Sequence, residues 1–153
     1  MARMEDIPPG TREAAAVLAC PPFAGTPWVN GVPLAKRTVA ILTSAALHPR
    51  TEPPFAPGST EVRMLPDSLA AADIAMSHVS INYDRSGFAR DINVAYPVDR
   101  LRELGAEGVI GRVAPVHFSV MGSTDPATMG ATVDAIVARA RQEGIDAILL
   151  CPV

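Results

Sequence analysis

The chain has 153 residues, 48% of them apolar, with 13 Lys and Arg against 16 Asp and Glu and a net charge of −3, a length and composition suited to one buried core. Its few cations are dispersed along the chain, so there is no basic stripe to hold a phosphate backbone, and nucleic acid is not expected as a partner. Every apolar run is far shorter than the roughly 20 residues that cross a bilayer, and no membrane span is expected.

Residues 1–36 predict an irregular Pro/Gly-rich arm, broken by Pro8-Pro9-Gly10, Pro21-Pro22, Gly25, Pro27, Gly31 and Pro33, with one short helical pattern from Thr11 to Ala19. Val17-Leu18-Ala19-Cys20 has the outline of a lipoprotein cleavage site, but Glu5, Asp6 and Glu13 stand where a secretory leader carries positive charge. A cytoplasmic location is expected instead. The two cysteines, Cys20 and Cys151, make neither a metal spacing nor a disulfide framework and fit reduced thiols.

From Thr38 the texture changes. Thr38 to Thr43 is a continuous β-branched and apolar run, as in a strand buried on both faces. A Pro-rich loop follows over His48 to Ser59, and Thr60 to Leu65 alternates polar with apolar like a half-buried edge strand. Asp67 to Asn93 reads as loops around a short strand or helix. A helix is predicted from Val98 to Leu104, with Pro97 at its first position and Gly105 at its end, and a strand from Arg112 to Val120. Pro126 to Arg141 is the clearest helix, capped by Asp125, striped by Met129, Val133, Ile136, Val137 and Ala140, and stopped by Gly144. Ile145 to Leu150 then reads as another fully buried strand. Strand, helix and strand at this spacing predict a right-handed βαβ unit. The expected fold over residues 37–153 is an α/β domain, a mainly parallel sheet with helices on both faces in a three-layer, doubly wound arrangement. A buried parallel strand needs cover on both faces, yet only three residues follow Leu150. The expectation is a domain truncated at its carboxyl end, the alternative an edge strand covered by a partner chain.

The chain has no Gly-rich dinucleotide loop after its first strand, no phosphate loop with lysine and no Gly-x-Ser-x-Gly elbow. Ser77 to Arg85 and Arg90 to Asn93 instead gather His78, Tyr83, Asp84, Asp91 and Asn93. Such groups bind a charged small molecule when they converge, or merely hydrogen-bond their own loop when they do not. His117 and Ser119 lie two apart on a strand and share a face, where a histidine serves a site or the core. Met121 to Asp125 opens a helix whose free N–H groups suit a carboxylate, with Asp125 as a simple cap the other reading. Cys151 follows a buried strand directly, as a redox thiol or as a small buried hydrophobe.

Several stretches carry a resemblance: Pro27-Trp28 leading to Pro33-Leu34, the strand from Arg37 to Thr43, Ser77-His78 followed by Tyr83-Asp84, and, more specifically, Arg90 to Leu104, Glu107 to Gly111 and Ala114 to Gly122. From about Trp28 to Val153 the chain resembles the selenoprotein B family of glycine, betaine, sarcosine and D-proline reductases. In that family a final strand runs into a redox motif holding selenocysteine or cysteine, and Asp146 to Val153 is similar to that strand. The resemblance implies that selenocysteine stands at position 154, its codon read as a stop. Cys151 would then be three residues away, a spacing that permits a selenenylsulfide, and is implied to be catalytic. It also implies an oxidoreductase subunit acting on a small amine or amino-acid-like substrate, with His78, Tyr83, Asp84, Asp91, Asn93, His117 and Ser119 lining the pocket. No cofactor is expected on this chain itself, which should be inactive without the selenium residue. The implied partners are a subunit whose pyruvoyl group activates the amine, a thioredoxin-like electron donor, and further copies or other chains in a homo- or hetero-oligomer. The alternative is a non-catalytic small-molecule-binding or structural subunit.

Overall fold

The computed structural model of the chain describes residues 4–17, 25, 29–80 and 84–153. Residues 18–20, Pro21-Pro22, Pro27-Trp28 and Tyr83, all used above, lie outside them. The chain divides into two compact units, Met1–Asn30 and Gly31–Val153. The first unit holds a 3-10 turn, Met4–Asp6, and a helix α1, Pro9–Ala16, with Pro9 in the first turn, where its missing N–H has no helical partner to lose. Arg12 ties the two together by donating to the carbonyls of Glu5 and Ile7 at 3.0 and 2.9 Å.

The second unit is built on β1, Thr38–Thr43, whose residues are all buried except the half-buried Leu42. A β-branched, apolar run of this kind stays in place only when both flanks and both faces are covered, and here they are. On one flank β7, Ala147–Cys151, pairs with it in parallel from Val39 opposite Ala147 to Thr43 opposite Cys151. On the other flank run β5, Arg112–Val113, and β6, Val116–Val120, also parallel. β3, Val62–Pro66, adds antiparallel to the outer side of β6. A separate antiparallel pair joins β2, Leu47–Pro49, to β4, Ile74–Met76.

The α/β class is as the sequence predicts, but the sheet is mixed, which departs from the doubly wound parallel arrangement. The alternation of Thr60 to Leu65 belongs to an antiparallel edge strand, β3, in which Leu65 packs into the core on one face of the sheet and the half-buried Val62 and Met64 pack on the other. The strand predicted from Arg112 to Val120 is interrupted. Thr38 faces Arg112 while Leu42 faces Phe118, so β1 advances four residues as its partner advances six, and two residues, Ala114 and Pro115, are extra. Pro115 has no N–H to give a ladder, and the sheet curls at this bulge. β7 is an edge strand and not a doubly buried one: among the described strands it pairs with β1 alone, and Leu149 and Leu150 are 43% and 66% exposed.

Helix α3, Val98–Ala106, covers one face through Val98 and Leu101, which pack with Val39, Ile41, Tyr96 and Ile110. Pro97 is its cap residue and not its first helical one. Helix α4, Gly130–Gln142, covers the other face through Ile136, against Ala40, Phe118 and Val120. Asp125 accepts from the Ala127 N–H at 2.9 Å, but the turn it caps, Pro126–Thr128, is 3-10 and α4 starts after it. Gly144, at φ +62°, ends α4 as predicted, letting the Ile145 N–H reach back to the Ala140 carbonyl at 2.9 Å. A short helix α2, Ser86–Arg90, precedes α3. No helix among the described residues is long and apolar enough to cross a membrane.

Candidate functional site

Because β1, β6 and β7 are parallel, they deliver Ser44, Met121-Gly122 and Cys151 to Val153 to one edge, the carboxyl edge where open α/β sheets bind and react. Ser44 joins all three strands there. Its N–H donates to the Cys151 carbonyl at 3.2 Å, its carbonyl accepts from the Gly122 N–H at 2.9 Å, and its hydroxyl accepts from the Val153 N–H at 2.9 Å. Gly122 passes so close that a Cβ on it would lie 2.7 Å from the Ser44 carbonyl oxygen and 2.9 Å from His78 Nε2. The buried His78 ring therefore abuts this edge. His78 Nδ1 accepts from the Ser80 N–H at 3.2 Å, so the proton of the neutral ring sits on Nε2. Burial, and then the nearby Arg85 guanidinium, hold His78 below the ordinary imidazole pKa. Arg85 also donates to the His78 and Ser80 carbonyls.

Cys151 is half-buried at the same edge, bordering an apolar pocket of about 240 Å³ lined by Leu42, Ser44, Val120, Leu150 and Pro152. Burial pushes its thiol pKa up, so it is a protonated, weakly nucleophilic thiol at neutral pH.

A second polar system starts three residues back along β1, at Ile41. His117 is fully buried, and its Nδ1 accepts the Ile41 N–H at 3.0 Å. The ring takes the place of a backbone acceptor where the β5–β6 bulge opens the ladder. A backbone N–H only donates, so the ring proton is on Nε2, 3.4 Å from Asp67 Oδ1. Arg102 bridges Asp67 Oδ1 at 3.0 Å and Asp99 Oδ1 at 3.0 Å. Asn93 continues the chain, donating from Nδ2 to Asp99 Oδ2 at 3.0 Å and to Asp91 Oδ1 at 2.8 Å. Tyr96 stacks edge-on against His117 with ring centroids 5.5 Å apart. Burial lowers the His117 pKa against the opposing influence of Asp67, and raises that of Tyr96. Asp91 and Asp99 also line a cavity of about 460 Å³ with Arg50, Arg90, Ile74 and Phe88.

The structure thus links Asp91, Asn93 and His117 in one hydrogen-bonded chain and sets His78 and Cys151 at the carboxyl edge. Asp84 joins neither: fully exposed, it accepts from the Ser86 N–H and hydroxyl at 2.8 and 3.0 Å, which lower its pKa and fix the start of α2. Asp91 is held down in the same way by Asn93. Buried Ser119 accepts from the Leu47 N–H at 2.7 Å and anchors β2. Ser44, Asp67, Asp99 and Arg102 were missed by sequence reasoning. Only the three-residue spacing of Asp99 and Arg102 on a helix signalled a pair. No group of His, Cys, Asp and Glu among the described residues is arranged to hold a metal ion. Arg102 is 40% exposed, so Arg102→Ala is expected to cost only about 1 kcal/mol in urea unfolding. A loss several times larger would mean that the network carries the fold.

The model of the glycine/sarcosine/betaine reductase selenoprotein B family matches residues 26–152, including every element from β1 to β7. The chain belongs to this family. Among curated relatives, D-proline reductase subunit gamma of Acetoanaerobium sticklandii is 32% identical over 133 residues, 85% of this chain and 53% of that protein. Glycine reductase complex component B subunit gamma of Carboxydothermus hydrogenoformans is 30% identical, covering 76% of this chain and 28% of its own. Sarcosine reductase complex component B subunit beta of Peptoclostridium acidaminophilum is 33% identical over 96 residues, 59% of this chain and 22% of its own. The chain therefore spans about half the length of the first of these relatives and less of the others. No solved structure matches it significantly.

Proposed function

We propose that this chain is the amino-terminal part of a selenol- or thiol-dependent oxidoreductase subunit that reduces a small amine or amino-acid-like compound in the cytoplasm. The observation that carries this is the place of Cys151: at the carboxyl end of β7, beside an apolar pocket and on the edge that Ser44, Gly122 and His78 share. The catalytic selenocysteine stands just after Val153, a short step from that pocket. A selenol is ionised at neutral pH, whereas Cys151 is kept protonated by burial, so the selenolate is the resting nucleophile and Cys151 the resolving thiol. The selenolate attacks the carbon that bears the activated amine and displaces the amine. Cys151, giving up its proton, then attacks selenium, so that the selenenylsulfide forms as the carbon–selenium bond breaks and the carbon takes up a proton. A thioredoxin-like dithiol reopens the selenenylsulfide by exchange. A partner subunit carrying a pyruvoyl group activates the amine, as befits relatives named as subunits of reductases and reductase complexes. His78, Tyr83, Asp91 and Asn93 contribute to substrate binding, while His117 holds the sheet together. Further strands beyond β7 complete a three-layer, doubly wound sheet.

Mass spectrometry of the protein from its native cells tests the proposal. Selenium and peptides extending past Val153 are expected; a native chain that ends at Val153 and carries no selenium overturns it. The open side of β7, with Leu149 and Leu150 exposed, favours a second reading, a structural subunit that completes its sheet with another chain. Sedimentation of the full-length protein as a monomer in the presence of its co-purifying chains would remove it.

A further inference from the structure

We propose that Ser44 is a positioning residue, whose hydroxyl aims the segment after Cys151 across the ends of β1 and β6. The inference deepens the reading of the carboxyl edge as a redox site and rests on it only for its effect on turnover. Regular pairing of β1 with β7 ends at Thr43 opposite Cys151, and the last backbone bond is from the Ser44 N–H to the Cys151 carbonyl, at 3.2 Å. Pro152 has no N–H, so the backbone ladder has no donor to continue with. The next donor is the Val153 N–H, and it is taken by a side chain, Ser44 Oγ, at 2.9 Å. The same hydroxyl lies 3.5 Å from the Val153 carbonyl oxygen. Ser44 also fixes β6 through the Gly122 N–H, at 2.9 Å. The strand that delivers Cys151 is thereby turned by a tie to the end of β1, next to Gly122, His78 and the apolar pocket, and not left to leave the sheet freely.

The tie is separable from the ladder, because Ser44→Ala keeps both backbone bonds and removes only the bond to Val153. The test uses the full-length protein, read by amide hydrogen exchange at Val153 and by steady-state reduction of the substrate. Ser44→Ala is expected to speed Val153 exchange roughly tenfold, the loss of about one hydrogen bond, with the amides of Ile41 and Leu42 unchanged. It should lower kcat by about tenfold or more with KM unchanged, because misplacement of a reacting group acts on the chemical step. Ser44→Thr, which keeps the hydroxyl, should restore both. If the added methyl of Thr lowers the Tm, Ser44→Cys, with a weaker acceptor, is expected to give intermediate exchange. Unchanged Val153 exchange in Ser44→Ala overturns the proposal, as does faster exchange with unaltered kcat. If the unsubstituted protein reduces nothing while Val153 exchange still responds to Ser44→Ala, the tie stands and the reductase reading falls.

Discussion

His117→Ala is expected to destabilise the protein by about 3 to 5 kcal/mol, the sum of an emptied core site and a stranded donor. The His117 side chain is fully buried against Tyr96 and is the acceptor for the Ile41 N–H in the middle of the central strand. Removing it leaves that N–H without a partner in a region sealed by Val39, Ile41, Leu65 and Leu101. It also takes the Nε2 proton away from Asp67, which keeps Arg102 as a partner. Since whole domains are stable by only about 5 to 15 kcal/mol, a large part of the margin goes with this one ring. His117→Asn, whose amide oxygen stands near the position of Nδ1, should recover about 1 to 2 kcal/mol of it. Urea unfolding of the three proteins gives the order parent, Asn, Ala. An Ala variant as stable as the parent would mean that the side chain is not a member of the ladder.

The same ring makes stability depend on pH in a predictable direction. Burial holds His117, and burial with Arg85 holds His78, below the ordinary value of 6.5. As pH falls below 6.5 the unfolded chain takes up protons that the folded chain refuses until its own lower pKa values are reached. In that window the unfolded state binds more protons, so stability rises with pH: it is complete above about 6.5 and is lost progressively on acidification. His117→Asn should remove up to one proton from this slope, about 1.4 kcal/mol per pH unit, and leave the part due to His78.

How much of this was legible in the sequence follows from which interactions are local. The six-residue run of β1 and the Gly144 stop were read correctly, because they depend on periodicity and on a single φ value. Of the stripe expected on α4 only Ile136 is buried and Met129 and Ala140 partly so, while Val133 and Val137 are exposed and Thr132 is buried instead. The antiparallel β3 and the interruption at Ala114-Pro115 were not read, because pairing direction and register are set between strands more than 40 residues apart. The burial of β7 was overestimated from Ile145 to Leu150 for the same reason: an apolar run shows that a strand can be covered, not that it is. For the site, local chemistry misled in one place and helped in another. Asp84 lies two residues before α2 and Asp91 one residue after it, and their carboxylates serve turns, the ordinary use of Asp in such stretches. His117 and Ser119 do share a face, but each completes a backbone hydrogen bond of the second unit's core. Ser44 and Asp67 have no sequence signal at all, since their partners, at Val153 and His117, are 109 and 50 residues away.

Gly122→Ala is expected to destabilise the protein by about 1 to 3 kcal/mol and to impair the carboxyl edge by more than that figure conveys. Its new methyl would stand 2.7 Å from the Ser44 carbonyl oxygen, 2.9 Å from His78 Nε2 and 3.0 Å from Ser44 Cβ. Backbone cannot yield as a side-chain tip can, so β6 must move away from β1 and lengthen the 2.9 Å bond from the Gly122 N–H to Ser44. That displacement reaches both neighbours of the proposed redox segment together: Ser44, which holds Val153, and the His78 ring. Shifts of about 1 Å in reacting groups lower rates by as much as 100-fold, so turnover in the full-length protein should fall far more than its Tm. Gly130→Ala is the control, because that glycine lies at the start of α4 with nothing within 4 Å of the added methyl. It should leave stability and turnover near those of the parent. If Gly122→Ala and Gly130→Ala behave alike, the close approach of β6 to Ser44 and His78 has no functional weight, and the carboxyl edge loses its claim to be the working end of the sheet.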